Sequence, residues 1–129
     1  MHQNFHRAYV HFRGLGIVQG KRIVSVSRDG TMRVWDLETG ECEHVLEGHA
    51  DNVHSIAVHG NIIISGGYDK TARLWDATTG QQLQLLEGHG QKISSVASDG
   101  KLAISGSLDS SIRIWSVENG YVVLECGFL

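Results

Sequence analysis

The chain has 129 residues, of which 41% are hydrophobic and 19% charged, as is usual for soluble globular proteins. Its formal net charge is −3 and it contains no block of basic residues, which argues against nucleic acid or an anionic membrane surface as a partner. The 16 glycines and the absence of proline favour many short strands joined by tight turns.

The amino-terminal segment precedes the patterned part of the chain. Residues 1–12 match no repeat clearly and are expected to form a tail or a degenerate strand. They contain no apolar run of the length that a signal peptide requires, and no stretch of the chain approaches a membrane span. Cys42 and Cys126 fit neither a CxxC motif nor a disulfide framework. We therefore expect a reducing compartment, the cytoplasm or the nucleus, and no membrane partner.

The rest of the chain repeats with a period of 40 residues. Tryptophan recurs at this spacing, and so do a serine ten residues and an aspartate six residues before it. The recurring residues are Trp35, Trp75, Trp115, Ser25, Ser65, Ser105, Asp29, Asp69, Asp109 and the pairs Gly48-His49 and Gly88-His89. A period of about 40 residues with Gly-His and Trp-Asp signatures predicts the blades of a WD-repeat β-propeller.

Each repeat divides into four predicted strands, called a to d in chain order. Blade 1 has them at residues 13–18, 22–26, 31–36 and 41–47, blade 2 at 53–58, 62–66, 71–76 and 82–87, and blade 3 at 92–97, 101–106, 111–116 and 121–125. Turn residues that tolerate positive φ, such as Asp29-Gly30 and Asp99-Gly100, separate the strands. The blades are thus expected at about residues 13–47, 53–87 and 92–126, within a module covering 13–129.

Three blades are fewer than the roughly four to eight of a typical propeller. The sequence therefore predicts an all-β fold of three four-stranded blades that form an incomplete β-propeller. Its two terminal faces are expected to be apolar and uncovered. Such an arc is either a fragment of a longer propeller or a unit that other copies of the chain complete.

Serine, histidine and aspartate occur together in the repeats, as they do in catalytic triads. Two blades carry a full set with tryptophan, and blade 1 carries a partial one. The sets are His49, Ser65, Asp69, Trp75, then His89, Ser105, Asp109, Trp115, and the partial set Ser25, Asp29, Trp35. A triad is built once per site, whereas this set recurs in each blade. We therefore interpret it as structural and predict no enzymatic activity.

Histidines and arginines also recur. His44, His49, His54 and His59 are spaced by five residues, but ten residues of strand and loop separate His49 from His59 by far more than ligands of one ion allow. We predict no metal site and no cofactor.

One arginine per blade lies on strand c, and its head is expected to be solvated while its stem packs on neighbouring strands. These arginines are Arg33, Arg73 and Arg113.

Positions that differ between blades are better candidates for function, because a repeat scaffold varies fixed positions to build a binding surface. Arg28 and Tyr68 each stand one residue before the recurring aspartate, and Arg13 and His54 lie at the start of strand a. Arginine and aromatic side chains suit an acidic or phosphorylated peptide, through bidentate hydrogen bonds and stacking. The alternative is a solvated rim without a ligand.

The chain resembles WD-repeat proteins over about residues 5–126. That resemblance implies a hydrogen-bond tetrad in which the turn aspartate holds the histidine, the histidine reaches the serine, and the serine reaches the indole N–H. Blade 1 has Tyr9 at the histidine position, which leaves Asp29 without that partner.

The strings from Val24 to Gly40 and from His44 to His49 are similar to the propeller of F-box/WD-repeat substrate receptors of ubiquitin ligases, in particular the cell-division-control type. In those proteins arginines hold a phosphorylated degron. Arg28 matches the turn arginine, and Tyr68 matches an aromatic residue at the rim of the pocket. Arg13 matches a strand-a arginine if one residue is inserted before Gly20, and His54 replaces an expected arginine.

The resemblance implies a non-enzymatic protein-interaction scaffold, within a substrate receptor that reads phosphopeptides. The alternatives are a self-assembling propeller module and a general WD-repeat subunit that does not recognise phosphate. In either case the expected partners are proteins or peptides, or further copies of the chain.

Overall fold

A computed structural model describes residues 12–18, 21–27 and 29–127. The described residues form twelve β-strands and no helix. Among them there is thus no helix that could cross a membrane. The strands are β1 (Phe12–Val18), β2 (Arg22–Ser27), β3 (Met32–Asp36), β4 (Cys42–Leu46), β5 (Val53–His59), β6 (Ile62–Gly67), β7 (Ala72–Asp76), β8 (Gln82–Leu86), β9 (Ile93–Ser98), β10 (Leu102–Ser107), β11 (Ser111–Ser116) and β12 (Val122–Gly127). Each begins and ends within two residues of its predicted bounds. Apart from Phe12, the predicted tail lies outside the described residues.

The strands pair in three separate antiparallel sheets of four, β1-β2-β3-β4, β5-β6-β7-β8 and β9-β10-β11-β12. Within each sheet, neighbours in the chain are neighbours in space. The first strand of blade 2, β5, packs against the first strands of both other blades, β1 and β9. The sheets therefore stand side by side with strands a innermost, which confirms the predicted all-β fold of three propeller blades.

The b–c turns require a left-handed backbone at one position in each blade. Gly30 takes it in blade 1 with φ 87°, and glycine adopts this conformation without steric cost. Lys70 and Ser110 occupy the same position in the next blades with φ of 73° and 68°. These two residues carry a Cβ there, so blades 2 and 3 keep the turn geometry at some conformational cost.

Apolar side chains fill the space between consecutive blades. Between blades 1 and 2 the layer contains Val24, Met32, Val34, Leu46, Val53, Ile63 and Trp75, none more than 2% exposed. Between blades 2 and 3 it contains Ile64, Ala72, Leu74, Leu86, Ala103 and Trp115, again none more than 2% exposed. Each large side chain buried in this way stabilises the fold by about 1.5–3 kcal/mol. The runs of consecutive apolar residues in strand b arise because both faces of a blade are covered.

Polar contacts at the outer rim add to these junctions. The His44 ring lies 2.8 Å, through Nε2, from the carbonyl oxygen of Thr78 in the c–d turn of the next blade. Gln84 repeats the contact 40 residues later by donating from Nε2 to the carbonyl oxygen of Glu118, at 3.0 Å. The corresponding residue of blade 3 is Leu124, which is 51% exposed and cannot donate.

Two of the three strand-c arginines differ from the expectation of solvated heads. The side chains of Arg73 and Arg113 are only 14% and 15% exposed. Arg73 donates from Nη1 to Gln82 at 3.0 Å and lies 3.7 Å from Asp69, while Arg113 pairs with Glu125 at 3.1 Å. The expectation was wrong because the glycine of the Gly-His pair has no side chain. A Cβ at Gly88 would overlap the Arg113 guanidinium, which packs in that space instead.

Candidate functional site

In blade 2, four recurring side chains form a continuous chain of hydrogen bonds. The indole Nε1–H of Trp75 donates to Ser65 Oγ at 2.9 Å, and Ser65 Oγ lies 2.7 Å from His49 Nε2. The other ring nitrogen, Nδ1, lies 3.1 Å from both carboxylate oxygens of Asp69. Asp69 also accepts from the backbone amide of Ala50 at 3.0 Å, which ties the loop before strand a to the b–c turn.

Blade 3 has the same arrangement. Trp115 Nε1 donates to Ser105 Oγ at 2.9 Å, and Ser105 Oγ lies 2.7 Å from His89 Nε2. His89 Nδ1 lies 3.3 Å from Asp109 Oδ2, and the Gly90 amide donates to the same oxygen at 2.9 Å. The distances match those of blade 2 within a few tenths of an ångström, so this geometry belongs to the repeat.

In blade 1 the structure describes the corresponding serine, aspartate and tryptophan, which are Ser25, Asp29 and Trp35. Trp35 Nε1 donates to Ser25 Oγ at 2.9 Å, as in the other blades. Asp29 accepts from the Thr31 amide at 3.0 Å and from its hydroxyl at 2.7 Å. The hydroxyl bond of Thr31 is the largest cause of the lowered pKa of Asp29, which burial partly opposes. Tyr9, at the position of the histidine, lies outside the described residues.

The hydrogen-bond pattern fixes the protonation of the blade 2 tetrad. With Asp69 ionised, His49 donates a hydrogen bond from Nδ1–H, and its unprotonated Nε2 accepts a hydrogen bond from the Ser65 hydroxyl. Burial lowers the pKa of His49, although the Asp69 carboxylate opposes this effect, and Arg73 adds to it. Burial acts to raise the pKa of Asp69, but the bonds from Ala50, Thr71 and His49 outweigh it and leave the pKa below its usual value. Every group in the network is therefore satisfied in its neutral-histidine form.

These sets join each blade to the loop that precedes it and do not present a nucleophile. Ser65 and Ser105 are both 0% exposed and each accepts a hydrogen bond from an indole N–H, so their hydroxyls do not face solvent. Among the residues that the structure describes, no three histidine, cysteine, aspartate or glutamate side chains lie close enough to hold a metal ion.

A β-bulge marks the start of strand a in every blade. In β5 the ladder pairs Val53 with Gly67 and then Ser55 with Gly66, so His54 has no paired residue on strand β6. The same shift leaves Arg13 unpaired in β1 and Ser94 unpaired in β9. Arg13 thus occupies the bulge position of His54, because one extra residue lies between strands a and b of blade 1. Bulges commonly re-aim a side chain next to a functional site.

The bulges and the b–c turns lie at the same end of the blades, which we call the b–c end. The Tyr68 amide donates to the carbonyl of Asn52 at 2.8 Å, and the Leu108 amide donates to that of Lys92 at 3.0 Å. These backbone bonds join each turn (residues 68–70 and 108–110) to the segment that precedes strand a of its own blade. Residues from both segments therefore share one surface.

Tyr68 is the centre of a cluster at the b–c end. Its ring lies 5.3 Å from the ring of His54, at an interplanar angle of 31°. The Nζ atom of Lys92 lies 4.3 Å from the centroid of the Tyr68 ring, within the range of a cation–π interaction. His54 and Lys92 are both exposed and Tyr68 is half-buried. Blade 3 thus supplies a cation to an aromatic side chain of blade 2.

The structure places the four predicted binding residues differently. His54 and Tyr68 are in contact, and Arg13 lies at the corresponding bulge of blade 1, where its side chain is not described. Arg28 lies outside the described residues. Lys92 was missed by the sequence reasoning, which compared equal positions of the three blades. The sequence did contain one indication of this contact. A lysine directly precedes strand a of blade 3, a position that lies next to the b–c turn of blade 2.

The fold and its repeated tetrads define a protein of the β-propeller repeat class. The family model described as "WD domain, G-beta repeat" matches residues 18–36, 40–76 and 80–116, well over half of the chain. The chain therefore belongs to the WD-repeat family, whose members generally act as non-enzymatic scaffolds for protein interactions.

Individual relatives match one blade each. The WD repeat-containing protein pop1 of Schizosaccharomyces pombe is 54% identical over 39 residues, which are 30% of this chain and 5% of that protein. Cell division control protein 4 of Candida albicans is 55% identical over 40 residues, which are 30% of this chain and 6% of that protein. The chain thus matches only a small part of the length of these relatives.

A solved structure matches nearly the whole arc. The crystal structure of the computationally designed Ika4 protein superposes with a TM-score of 0.83 and 32% identity, covering 89% of this chain and 71% of that one.

Proposed function

We propose that this protein is an interaction scaffold whose b–c end binds an acidic, phosphorylated peptide. The observation that carries the proposal is the cluster of Tyr68, His54 and Lys92, which joins an aromatic ring and a cation from adjacent blades. A phosphate accepts charge-assisted hydrogen bonds from lysine and arginine, and a neighbouring ring packs against the peptide. On this proposal residues 13–129 act as one module, with residues 1–12 as a tail or degenerate strand.

Their places in the repeat assign two arginines to the same surface. Arg13 stands at the bulge that corresponds to His54, and Arg28 stands at the turn position that corresponds to Tyr68. In this arrangement the surface combines cations from blades 1 and 3 with the His54 and Tyr68 rings of blade 2. The b–c end also has exposed acidic residues such as Asp51, so the proposal predicts binding to a phosphate at a defined place and not a general attraction for anions.

The resemblance to F-box/WD-repeat receptors, and the matching segment of cell division control protein 4, make a phosphorylated degron the peptide to test first. The corresponding role is that of a substrate-reading part of a ubiquitin ligase, in the cytoplasm or the nucleus. A general WD-repeat subunit would keep the same fold without a preference for phosphate.

Titration with a diphosphorylated acidic peptide and its unphosphorylated form tests the proposal. Arg28→Ala and Lys92→Ala should each weaken binding of the phosphorylated peptide by about tenfold to a hundredfold, since a charge-assisted hydrogen bond contributes about 1.5–3 kcal/mol. Lys101→Ala is the matched control. It removes the same charge from an exposed lysine in the a–b turn of blade 3, at the opposite end of the strands, and should leave affinity unchanged.

The measurement separates the alternatives. Equal affinity for both peptides would support the general WD-repeat subunit. If Arg28→Ala leaves the affinity for the phosphorylated peptide unchanged, phosphate recognition at this surface is wrong.

A further inference from the structure

The outer face of blade 3 repeats the apolar surface that the other blades bury. Ile104 is 39% exposed, whereas Val24 and Ile64, at the same position of blades 1 and 2, are both 0% exposed. Ile114 is half-buried, whereas Leu74 is fully buried. Blade 3 therefore presents the half of a blade junction that faces the following blade.

Blade 1 exposes part of the other half of the same junction, although Trp35, the counterpart of Trp75, is only 3% exposed. Leu37 is 40% exposed, whereas Ala77, at the same position of blade 2, is 0% exposed beneath blade 1. Ile23 is half-buried, and its counterpart Ile63 is fully buried in the layer between blades 1 and 2. The exposed parts of the two faces thus correspond to the two complementary sides of a contact that the chain makes twice internally.

We propose that the outer face of blade 3 docks on the exposed face of blade 1 in a second copy of this chain. The occupant follows from continuity with the two internal junctions, because the chain itself supplies a partner face of the right register and apolar character. The contact is head-to-tail, so two copies form it twice, and the resulting six blades fall within the roughly four to eight of known propellers.

This junction lacks the rim contact that His44 and Gln84 make in the internal junctions. Leu124 stands where His44 and Gln84 reach the c–d turn of the next blade. The same turn of blade 1, around Glu38, receives no such bond from a second copy. The association is therefore weaker than an internal junction, and it is reversible and depends on protein concentration.

Cys126 reports directly on the docking. It is exposed, but Leu86, at the same position of blade 2, is fully buried against blade 3. In a Cys42→Ser background Cys126 is the single thiol of the chain. Its reaction with a thiol reagent should slow as the protein concentration rises, in step with an increase of molar mass from one copy to two in multi-angle light scattering.

Two charge substitutions locate the contact. Ile104→Asp and Leu37→Asp, on opposite faces of the arc, should each abolish the rise in molar mass and the protection of Cys126. Leu83→Asp is the matched control, since Leu83 is 41% exposed on the outer strand of blade 2, away from both proposed faces. It should associate like the unsubstituted protein. Far-UV circular dichroism verifies that each variant is folded.

The outcomes decide between contacts. A folded Leu37→Asp variant that still associates overturns the head-to-tail arrangement, because a contact between two blade 3 faces would not involve blade 1. A single copy at every concentration, with Cys126 always reactive, overturns the proposal and leaves the face to a different partner. Neither result bears on peptide binding at the b–c end, which is titrated separately.

Discussion

Blades 2 and 3 have the same strand order and the same tetrad, but a further blade covers the outward face of blade 2 only. Their tetrads agree closely: the serine-to-histidine distance is 2.7 Å in both, and the tryptophan-to-serine distance is 2.9 Å in both. Their outward faces do not agree, since Ile64 is fully buried while Ile104 is 39% exposed. The tetrad is thus a property of a single blade and its preceding loop, whereas apolar burial depends on the next blade.

The largest contrast is expected from truncation of these two isoleucines. Ile64→Ala should lower the free energy of unfolding by about 2–5 kcal/mol, because it removes transfer energy and leaves a cavity between blades 2 and 3. Ile104→Ala should cost about 1 kcal/mol or less, since water already reaches that side chain. Urea unfolding at low protein concentration measures both. Equal losses in the two variants would contradict the difference in burial.

A smaller loss is expected from the tetrad. His89→Ala should lower the free energy of unfolding by about 1–3 kcal/mol, because Asp109 and Ser105 lose a hydrogen-bond partner in a largely buried site. His59→Ala, at the exposed histidine that ends β5, is the control and should stay within about 0.5 kcal/mol of the parent. An unchanged melting temperature for His89→Ala would contradict the structural role of the tetrad.

The smallest effect is expected from protonation of His49. Its folded pKa lies below its ordinary value of 6.5, so the unfolded chain binds more protons as the pH falls below that value. The contribution of His49 to the free energy of unfolding is therefore fully present above about pH 6.5 and is lost progressively as the pH falls below that value. The lowered pKa of Asp69 has the same sign, but its contribution is lost only as the pH falls below its ordinary value of 3.8.

Melting temperatures between pH 7.5 and pH 5 test this dependence. His49→Gln, whose amide does not titrate, should melt with a shallower pH dependence than the parent. The same slope in both proteins would assign the effect to other groups.

The 40-residue period was sufficient to predict the strands, because each blade buries the same positions and turns at the same residues. Trp75, Ser65 and His49 were likewise marked by their recurrence, and the resemblance to WD-repeat proteins implied the hydrogen bonds that join them. Contacts between different positions of neighbouring blades were not accessible in this way. Lys92 and Tyr68 are 24 positions apart and hold different places in the repeat, so no periodic comparison joins them.

The arginines of strand c show a second reason for failure. A charged side chain at a periodic position was expected to extend into water, but Gly88 leaves a space that only packing in three dimensions reveals. The burial of Arg73 and Arg113 depends on the absence of a side chain about 25 residues earlier. Composition and spacing do not carry that information.

The bulge at the start of strand a has a consequence for the evolution of the protein. Because Arg13, His54 and Ser94 lie outside the ladder, an exchange at these sites costs no strand pairing. The side chain at these sites can therefore change without a change in the strand pairing that the fold requires. Duplicated blades can diverge at this one residue while every pairing around it is retained.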